Sequence, residues 1–254
     1  MGLDPTAPQM TFLLVMLHTG TMFAVIGYFW NSWRARWFAS TAAFWSTAKL
    51  VALATAVTGG IGLGLMLFIE RVVMRGSAHA EIEQLFGNAY VMASGLTAVG
   101  IMIILSGKRP LPEVSSPLTW RQSAWIGAVQ GLCLPFRGFS RSGATISTGL
   151  FCGVDRIRME EFSFALAVVL TPAVILKEGF RLLKAQSVSP TAAKDLIAIA
   201  TPSLVGLLCS FIAGWLALRW LSQWLEQGRW HFFGYYCLFA AAAVLAVDLL
   251  APVL

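Results

Sequence analysis

The chain has 254 residues, of which 57% are hydrophobic and only 12% are charged, and its net charge is +6. Soluble domains usually carry about 25% charged residues, because polar surface has to cover their core. The mean hydropathy of +0.73 therefore excludes a soluble globular protein and predicts an all-α polytopic membrane protein. The basic residues lie mostly between apolar segments, where they are expected to anchor the chain at one membrane surface and not to bind nucleic acid.

Six apolar segments are long enough to cross a bilayer, for which a helix needs about 20 residues. We predict transmembrane helices over these segments: 10–30, 50–69, 88–106, 162–182, 196–218 and 232–251. Four connecting loops are then expected on one side of the membrane, 31–49, 107–122, 154–161 and 219–231, and the remaining connections on the opposite side.

One further apolar region is too short to span. Residues 123–136 and 144–153 are each well under 20 residues long, and the polar stretch RGFSRSG separates them. Two half-length helices that meet at a polar, glycine-containing tip are typical of a re-entrant hairpin, which we predict over 123–153. The alternative is a pair of interfacial helices with an exposed loop, although neither half has the charged face expected of a surface helix.

The distribution of basic residues predicts which side of the membrane the hairpin enters. With a re-entrant hairpin, the four loops named above share one side, and they hold ten basic residues: Arg34, Arg36, Lys49, Lys108, Arg109, Arg121, Arg156, Arg158, Arg219 and Arg229. The other side holds five: Arg71, Arg75, Arg181, Lys184 and Lys194. The positive-inside rule makes the first side cytoplasmic, so the hairpin enters from the cytoplasm and its tip lies at depth.

The order of elements indicates an inverted repeat that is incomplete in its first half. Residues 1–106 supply three helices without a hairpin, 107–122 form a loop, and 123–254 supply the hairpin and three more helices. An odd number of spans inverts one unit relative to the other. We expect that a hairpin of about 40 residues precedes this chain in a longer form of the protein; the alternative is that the protein has lost half of a symmetric site.

The hairpin tip combines two arginines with small and hydroxyl-bearing residues: Arg137, Gly138, Ser140, Arg141, Ser142, Gly143 and Thr145. A guanidinium deep in a bilayer requires a partner, and its N–H donors match the geometry of phosphate. The N-terminus of the following half-helix also favours an anion. The tip is therefore predicted to bind a phosphorylated lipid or to line an anion path. Alternatively, the arginines pair with the buried acids Glu160, Glu161 or Glu178.

The same residues resemble those of a known family. Q-G-L-C-L-P-F-R-G-F-S-R-S-G-A-T-I-S (Gln130–Ser147), followed by E-F-S-F-x-L-A-V (Glu161–Val168), closely resembles the second signature of the bacterial undecaprenyl-diphosphate phosphatase family of the bacitracin-resistance type. The likeness extends to T-W-R-Q (Thr119–Gln122) and to L-H-T-G-T-M-F-A-V (Leu17–Val25). It implies interlocked inverted repeats in the bacterial inner membrane. The implied activity is hydrolysis of undecaprenyl diphosphate, which recycles the carrier lipid of cell-wall synthesis and confers bacitracin resistance.

The resemblance also implies roles for individual residues. Arg141 matches the arginine that holds the diphosphate, and Gly143 matches the glycine of the turn. Hydroxyls around the diphosphate correspond to Ser140, Ser142 and Thr145. Arg137 and Gly138 are expected to contribute to substrate binding, although Arg137 stands where many members have a proline–glycine turn. A divalent metal, Mg²⁺ or Ca²⁺, is expected from the family.

The family's first signature, an E-x-x-x-E pair and a P-V-S-S-x-G-H stretch, does not occur in this sequence. The one V-S-S, Val114–Ser116, lies in a polar loop, and His18 is interpreted as a helix-face histidine. Because this signature would supply the carboxylates and the histidine, the ligands of the metal and the general base are not identifiable. Two alternatives to a phosphatase follow: a non-catalytic binder or transporter of polyprenyl phosphates, and an anion channel.

Overall fold

The structure, a computed structural model, describes residues 8–73, 88–110, 117–136, 138–186 and 192–250. In these ranges the chain forms helices and no strand, as predicted. The eight α-helices are α1 Pro8–Arg36, α2 Thr41–Phe68, α3 Ala89–Gly107, α4 Trp120–Cys133, α5 Arg141–Phe151, α6 Arg156–Gln186, α7 Ala192–Glu226 and α8 His231–Leu250. A π-helical turn, Ile69–Val73, extends α2.

Five of the described helices are long and apolar enough to cross a membrane: Phe12–Arg36, Thr41–Arg71, Ala89–Gly107, Thr201–Glu226 and His231–Leu250. They overlap five of the six predicted spans, and they confirm a polytopic membrane protein. The sixth predicted span, 162–182, lies within α6, which has 31 residues but is not among the five. The N-terminal part of α6 is rich in charge, because Arg156, Arg158, Glu160 and Glu161 all lie in its first two turns.

The predicted loop over 31–49 is wrong. Helix α1 continues to Arg36, and α2 already begins at Thr41. The Ser40 hydroxyl caps α2, because it accepts a hydrogen bond from the Ala43 N–H at 3.1 Å. Hydropathy missed this start because the first turns of α2 mix polar residues with apolar ones. The predicted loop 219–231 is shortened in the same way, since α7 continues to Glu226.

The chain packs into two compact units, and the first consists of Met1–Ala39 and Phe164–Ser222. In this unit α1 and α7 are parallel and pack against each other at small residues. A Cβ added at Gly20 would overlap Leu207 O and Ser210 Oγ. A cluster of large side chains also contributes, in which Phe29 and Trp33 stack with ring centroids 5.7 Å apart. Close backbone approach of this kind is the usual basis of helix association in lipid.

The second unit consists of Ser40–Ser163 and Gln223–Leu254 and contains the predicted hairpin. Helix α2 packs against α4, α3 packs against both α5 and α8, and α4 packs against α5. The contact of α3 with α8 is again close, because a Cβ at Gly100 would lie 3.0 Å from Gly234 O. The predicted boundary between sequence repeats, 107–122, falls within this unit. The two units are defined by how closely the chain packs and not by symmetry. The division of the sequence into two repeats therefore stays a prediction.

Candidate anion-binding site

The predicted hairpin is formed by two short helices, α4 with 14 residues and α5 with 11 residues. Thr119 and Gln122 form a capping box at the start of α4. The Gln122 side chain also donates from Nε2 to Cys152 O at 2.9 Å, which joins the start of α4 to the end of α5. Arg109 Nη1 donates to Phe151 O at 2.8 Å beside it. The base of the hairpin is thus closed by side chains that satisfy the last carbonyls of α5.

The contacts of α4 with α2 place the tip of the hairpin well along a transmembrane helix. Ser123 Oγ donates to Leu50 O at 2.6 Å near the base. A Cβ at Gly62 would lie 2.5 Å from Leu134 Cδ1 near the tip. Leu50 and Gly62 are 12 residues apart on α2, so at 1.5 Å per residue the hairpin extends about 18 Å along that helix. The tip therefore reaches deep into the span of α2, as the re-entrant prediction requires.

Helix α5 is enclosed by protein, because every residue from Gly143 to Leu150 is buried. On the side of α3, a Cβ at Gly143 would lie 2.9 Å from Ile103 Cδ1. On the side of α6, Gly149 lies directly against the Met159 side chain. A short membrane helix that cannot span is tolerated when it is buried in this way. The enclosure favours the re-entrant hairpin over the alternative of exposed interfacial helices.

The Trp230 ring fixes α5 from the side that faces the start of α8. It is 1% exposed, and its Nε1 donates to Ser147 Oγ at 3.2 Å. Trp230→Phe is expected to lower the free energy of unfolding by about 1–3 kcal/mol, because the buried serine hydroxyl loses its donor. Thermal unfolding in detergent measures the effect. Trp125→Phe, at a residue that is 64% exposed, is the control, and an equal effect of both changes would contradict this account.

The tip contains a turn that only glycine adopts easily. Gly138 has φ +92°, and a Cβ there would lie 2.6 Å from Met92 O of α3. The turn ends at Ser140, whose Oγ accepts from the Gly143 N–H at 3.2 Å and caps α5. Arg137, the other predicted arginine, lies outside the described residues.

Arg141 is the first residue of α5 and is partly buried at the tip. No described carboxylate lies within ion-pair distance of its guanidinium. Glu160 and Glu161 are buried on α6, and the Glu178 side chain is not described. Among the described acids, the predicted alternative of an ion pair with Arg141 therefore finds no support.

The hydroxyl of Thr145, a predicted substrate contact, is used inside the hairpin. Thr145 is fully buried. Its Oγ1 donates to Arg141 O at 2.9 Å and lies 2.6 Å from Ser163 Oγ. This hydroxyl therefore joins the first turn of α5 to α6. By contrast, Ser140 and Ser142 are partly exposed at the tip, beside Arg141.

Thr145→Val is expected to lower the free energy of unfolding by about 1–3 kcal/mol, because the valine leaves Ser163 Oγ buried without its partner. The double variant with Ser163→Ala removes both hydroxyls, and it is expected to recover part of this loss. The coupling is measured by unfolding Thr145→Val, Ser163→Ala and the double variant in detergent. Additive losses would contradict a direct Thr145–Ser163 bond.

The tip offers hydrogen-bond donors and positive charge. The guanidinium, the hydroxyls of Ser140 and Ser142, and the first-turn N–H groups of α5 all favour an anion. This donor set does not fit a divalent cation held by protein ligands, and within the described ranges no three His, Cys, Asp or Glu side chains form a metal cluster. The expectation of Mg²⁺ or Ca²⁺ therefore has no identified ligands here.

The sequence did not predict two polar residues that support the tip. Ser163 of α6 contacts Thr145, and Gln130 of α4 is fully buried against Thr58 of α2. Gln130 and Ser163 both lie within the segments that resemble the family's second signature. A polar residue inside each apolar stretch was the only signal, and it does not reveal a partner on a distant helix.

Comparison with known proteins gives matches over most of the chain. A family model described as "Bacitracin resistance protein BacA" matches residues 1–243. Undecaprenyl-diphosphatase 2 of Acinetobacter baylyi is 55% identical over 248 residues, which are 97% of this chain and 87% of that protein. Undecaprenyl-diphosphatase 2 of Burkholderia thailandensis is 32% identical, with 94% of this chain and 82% of that protein covered. Undecaprenyl-diphosphatase of Desulfosudis oleivorans is 32% identical, with 75% of this chain and 67% of that protein covered.

Proposed function

We propose a function from the premise that the chain belongs to the bacitracin resistance protein BacA family. The chain hydrolyses undecaprenyl diphosphate to undecaprenyl phosphate and phosphate in the bacterial inner membrane. This reaction returns the carrier lipid to cell-wall synthesis and raises resistance to bacitracin. The observation that carries the proposal is the position of Arg141. Its guanidinium lies at the N-terminus of α5, deep beside a transmembrane helix, with no described carboxylate to neutralise it.

The tip supplies charge stabilisation for phosphoryl transfer. The Arg141 guanidinium binds two oxygens of the diphosphate, and the free N–H groups at the start of α5 bind others. The hydroxyls of Ser140 and Ser142 orient the headgroup, while Gly138 and Gly143 let the backbone approach it. Water attacks the terminal phosphorus, the bond to the bridging oxygen breaks, and undecaprenyl phosphate leaves. Hydrogen-bond donors that are fixed in a site of low dielectric constant stabilise the transition state most strongly, because charge develops there on the departing oxygens.

The test is phosphate release from undecaprenyl diphosphate by the purified chain in detergent, with Mg²⁺, with Ca²⁺ and with a chelator. We expect release that saturates with lipid concentration and that competing inorganic pyrophosphate reduces. If no condition gives release while the protein is folded, the proposed hydrolysis is contradicted. The three metal conditions also test the expectation of a divalent ion.

A second candidate is a non-catalytic binder of polyprenyl phosphates. It is favoured by the donor-only chemistry of the tip, since no described carboxylate or imidazole lies there to act as a general base. In the same experiment this candidate gives saturable lipid binding without phosphate release. Binding and release are therefore measured on the same preparation.

A further inference from the structure

Two helices that can span the membrane meet at their ends, away from the tip of the hairpin. Helix α3 ends at Gly107 and α8 begins at His231, and a Cβ added at Gly107 would lie 2.7 Å from His231 N. Both helices are long and apolar enough to cross a membrane. Their contact therefore lies at the depth where the hydrocarbon core ends and the lipid headgroups begin.

The end of α3 also contacts the base of the hairpin. Arg109, two residues after the last residue of α3, donates from Nη1 to Phe151 O at 2.8 Å. Its guanidinium carbon lies 5.8 Å from the centre of the Phe151 ring. Phe151 is the last residue of α5 and Arg156 is the first residue of α6. Only the four residues 152–155 therefore separate the Arg109 contact from Arg156.

Arg156 in turn contacts the connection between α7 and α8. Its Nη1 would lie 3.2 Å from a Cβ added at Gly228, a residue with φ +74°. Arg229 is the next residue and is exposed. Two residues further on, His231 makes the contact with α3 described above. The contacts thus form a closed series through α3, α5, α6 and α8.

Basic residues dominate the three segments that this series joins, 107–110, 151–158 and 226–231. We call their five basic residues the basic ring: Lys108, Arg109, Arg156, Arg158 and Arg229. The same segments hold two acids. Asp155 pairs with Arg158, with Oδ2 3.3 Å from Nε, and Glu226 is exposed at the end of α7. The ring therefore keeps a net positive charge.

Arg156 is the member of the basic ring whose surroundings most need an anion. No described carboxylate forms an ion pair with it, and its Nε is buried without a hydrogen-bond partner in the described part of the chain. A guanidinium has five N–H donors and no acceptor, so only an acceptor can complete its bonding. Arg156 is partly exposed, so an anion at the membrane surface can reach its side chain.

Apolar side chains beside the basic ring favour a lipid over a free anion. Ile157 lies between two arginines of the ring and is 41% exposed. Phe232, in the first turn of α8, is 45% exposed. A phospholipid offers both kinds of complementary group, because its phosphate lies at the headgroup depth and its acyl chains continue into the hydrocarbon core. Basic pockets between the ends of membrane helices are a usual binding place for anionic headgroups.

We propose that the basic ring binds the phosphate diester of an anionic glycerophospholipid. The phosphate lies between Arg156 and Arg229, and Lys108 and Arg109 add positive charge from the end of α3. The acyl chains pack on the exposed apolar residues next to the ring. This site differs from the tip of the hairpin in its helices and in its ligand, and it does not depend on the proposed hydrolysis.

The test is thermal unfolding of the whole chain in detergent micelles that contain increasing fractions of dioleoylphosphatidylglycerol. A ligand that binds the folded state raises the unfolding temperature in a saturable way. For the double variant Arg156→Gln with Arg229→Gln, we expect the half-saturating lipid fraction to rise about 25-fold, since one basic residue near an anionic surface is worth about fivefold. If this variant does not fold, Lys108→Gln with Arg229→Gln, at two exposed residues, takes its place.

Arg34→Gln with Arg219→Gln is the matched control. It removes the same charge from two exposed arginines outside the ring, which the sequence predicts on the same membrane side. We expect it to change the half-saturating fraction less than threefold. An equal rise for both double variants would mean diffuse attraction to the surface and overturns the site.

Two other additions test the chemistry of the ligand. Zwitterionic dioleoylphosphatidylcholine is expected to leave the unfolding temperature unchanged, and inorganic phosphate at the same concentration is expected to raise it much less than the anionic lipid does. Equal stabilisation by the zwitterionic lipid contradicts recognition of charge, and equal stabilisation by inorganic phosphate contradicts a lipid as the ligand. No substrate is present in these measurements, so a failure of the proposed hydrolysis leaves their outcome unaffected.

Discussion

Replacement of Arg141 by alanine is expected to lower the affinity for an isoprenoid diphosphate by about 100-fold or more. A guanidinium that binds two phosphate oxygens makes two charge-assisted hydrogen bonds, each worth about 1.5–3 kcal/mol, and every 1.4 kcal/mol is tenfold in affinity. Phosphate release is expected to fall at least as far, because the same donors stabilise the charge that develops in the transition state. Calorimetric binding and phosphate release in detergent measure the two effects.

Two further variants separate an anion site from a structural role for Arg141. Arg141→Lys keeps the charge and loses the planar fork, so an intermediate affinity is expected. Arg121→Ala removes an exposed arginine at the base of the same hairpin and is expected to leave binding unchanged. If Arg141→Ala aggregates, and its folded fraction binds diphosphate as the wild type does, Arg141 stabilises the fold and does not hold the anion.

The spans and the hairpin could be predicted from the sequence because each is a local property of the chain. A run of apolar residues sets the existence of a helix such as α3 or α8, whatever it packs against. The short lengths on either side of RGFSRSG were equally visible, and the structure places α4 and α5 there. The loop 31–49 was wrong because the start of α2 depends on a capping hydroxyl and not on hydropathy.

The contacts within the candidate site could not be predicted in the same way. Thr145 was expected to face the substrate, as its place beside S-R-S-G indicates. In the structure its hydroxyl pairs with Ser163 of another helix, and its contact with the substrate stays a prediction. Gln130 pairs with Thr58, 72 residues away along the chain. Such pairs depend on the register between two helices, which small residues set by letting the helices approach closely. The pattern of residues within one helix does not reveal that register.

The register of α4 against α2 leads to the second prediction with a large effect. Gly127 of α4 lies so close to α2 that an added Cβ would overlap Ala54 O and lie 2.8 Å from Ala54 Cα. These are backbone atoms, so no side chain can rotate to make room. We expect Gly127→Ala to lower the free energy of unfolding by about 1–3 kcal/mol, the usual cost of overpacking. Phosphate release is also expected to fall several-fold, since the displacement of α4 moves the tip that carries Arg141.

Gly60 of α2 provides the matched control, because the same substitution there meets open space. Apart from its chain neighbours and the adjoining backbone of α2, no described atom lies within 4 Å of a Cβ at Gly60. Alanine at this helical position is expected to stabilise the protein by about 0.5–1 kcal/mol, since it restricts the unfolded chain more than glycine does. Unfolding in detergent and phosphate release compare the two variants directly. Opposite signs of the stability change indicate that Gly127 sets the distance between α4 and α2. Equal stabilisation by both alanines would mean that the hairpin does not pack on α2 at this register, and the depth assigned to Arg141 would then be wrong.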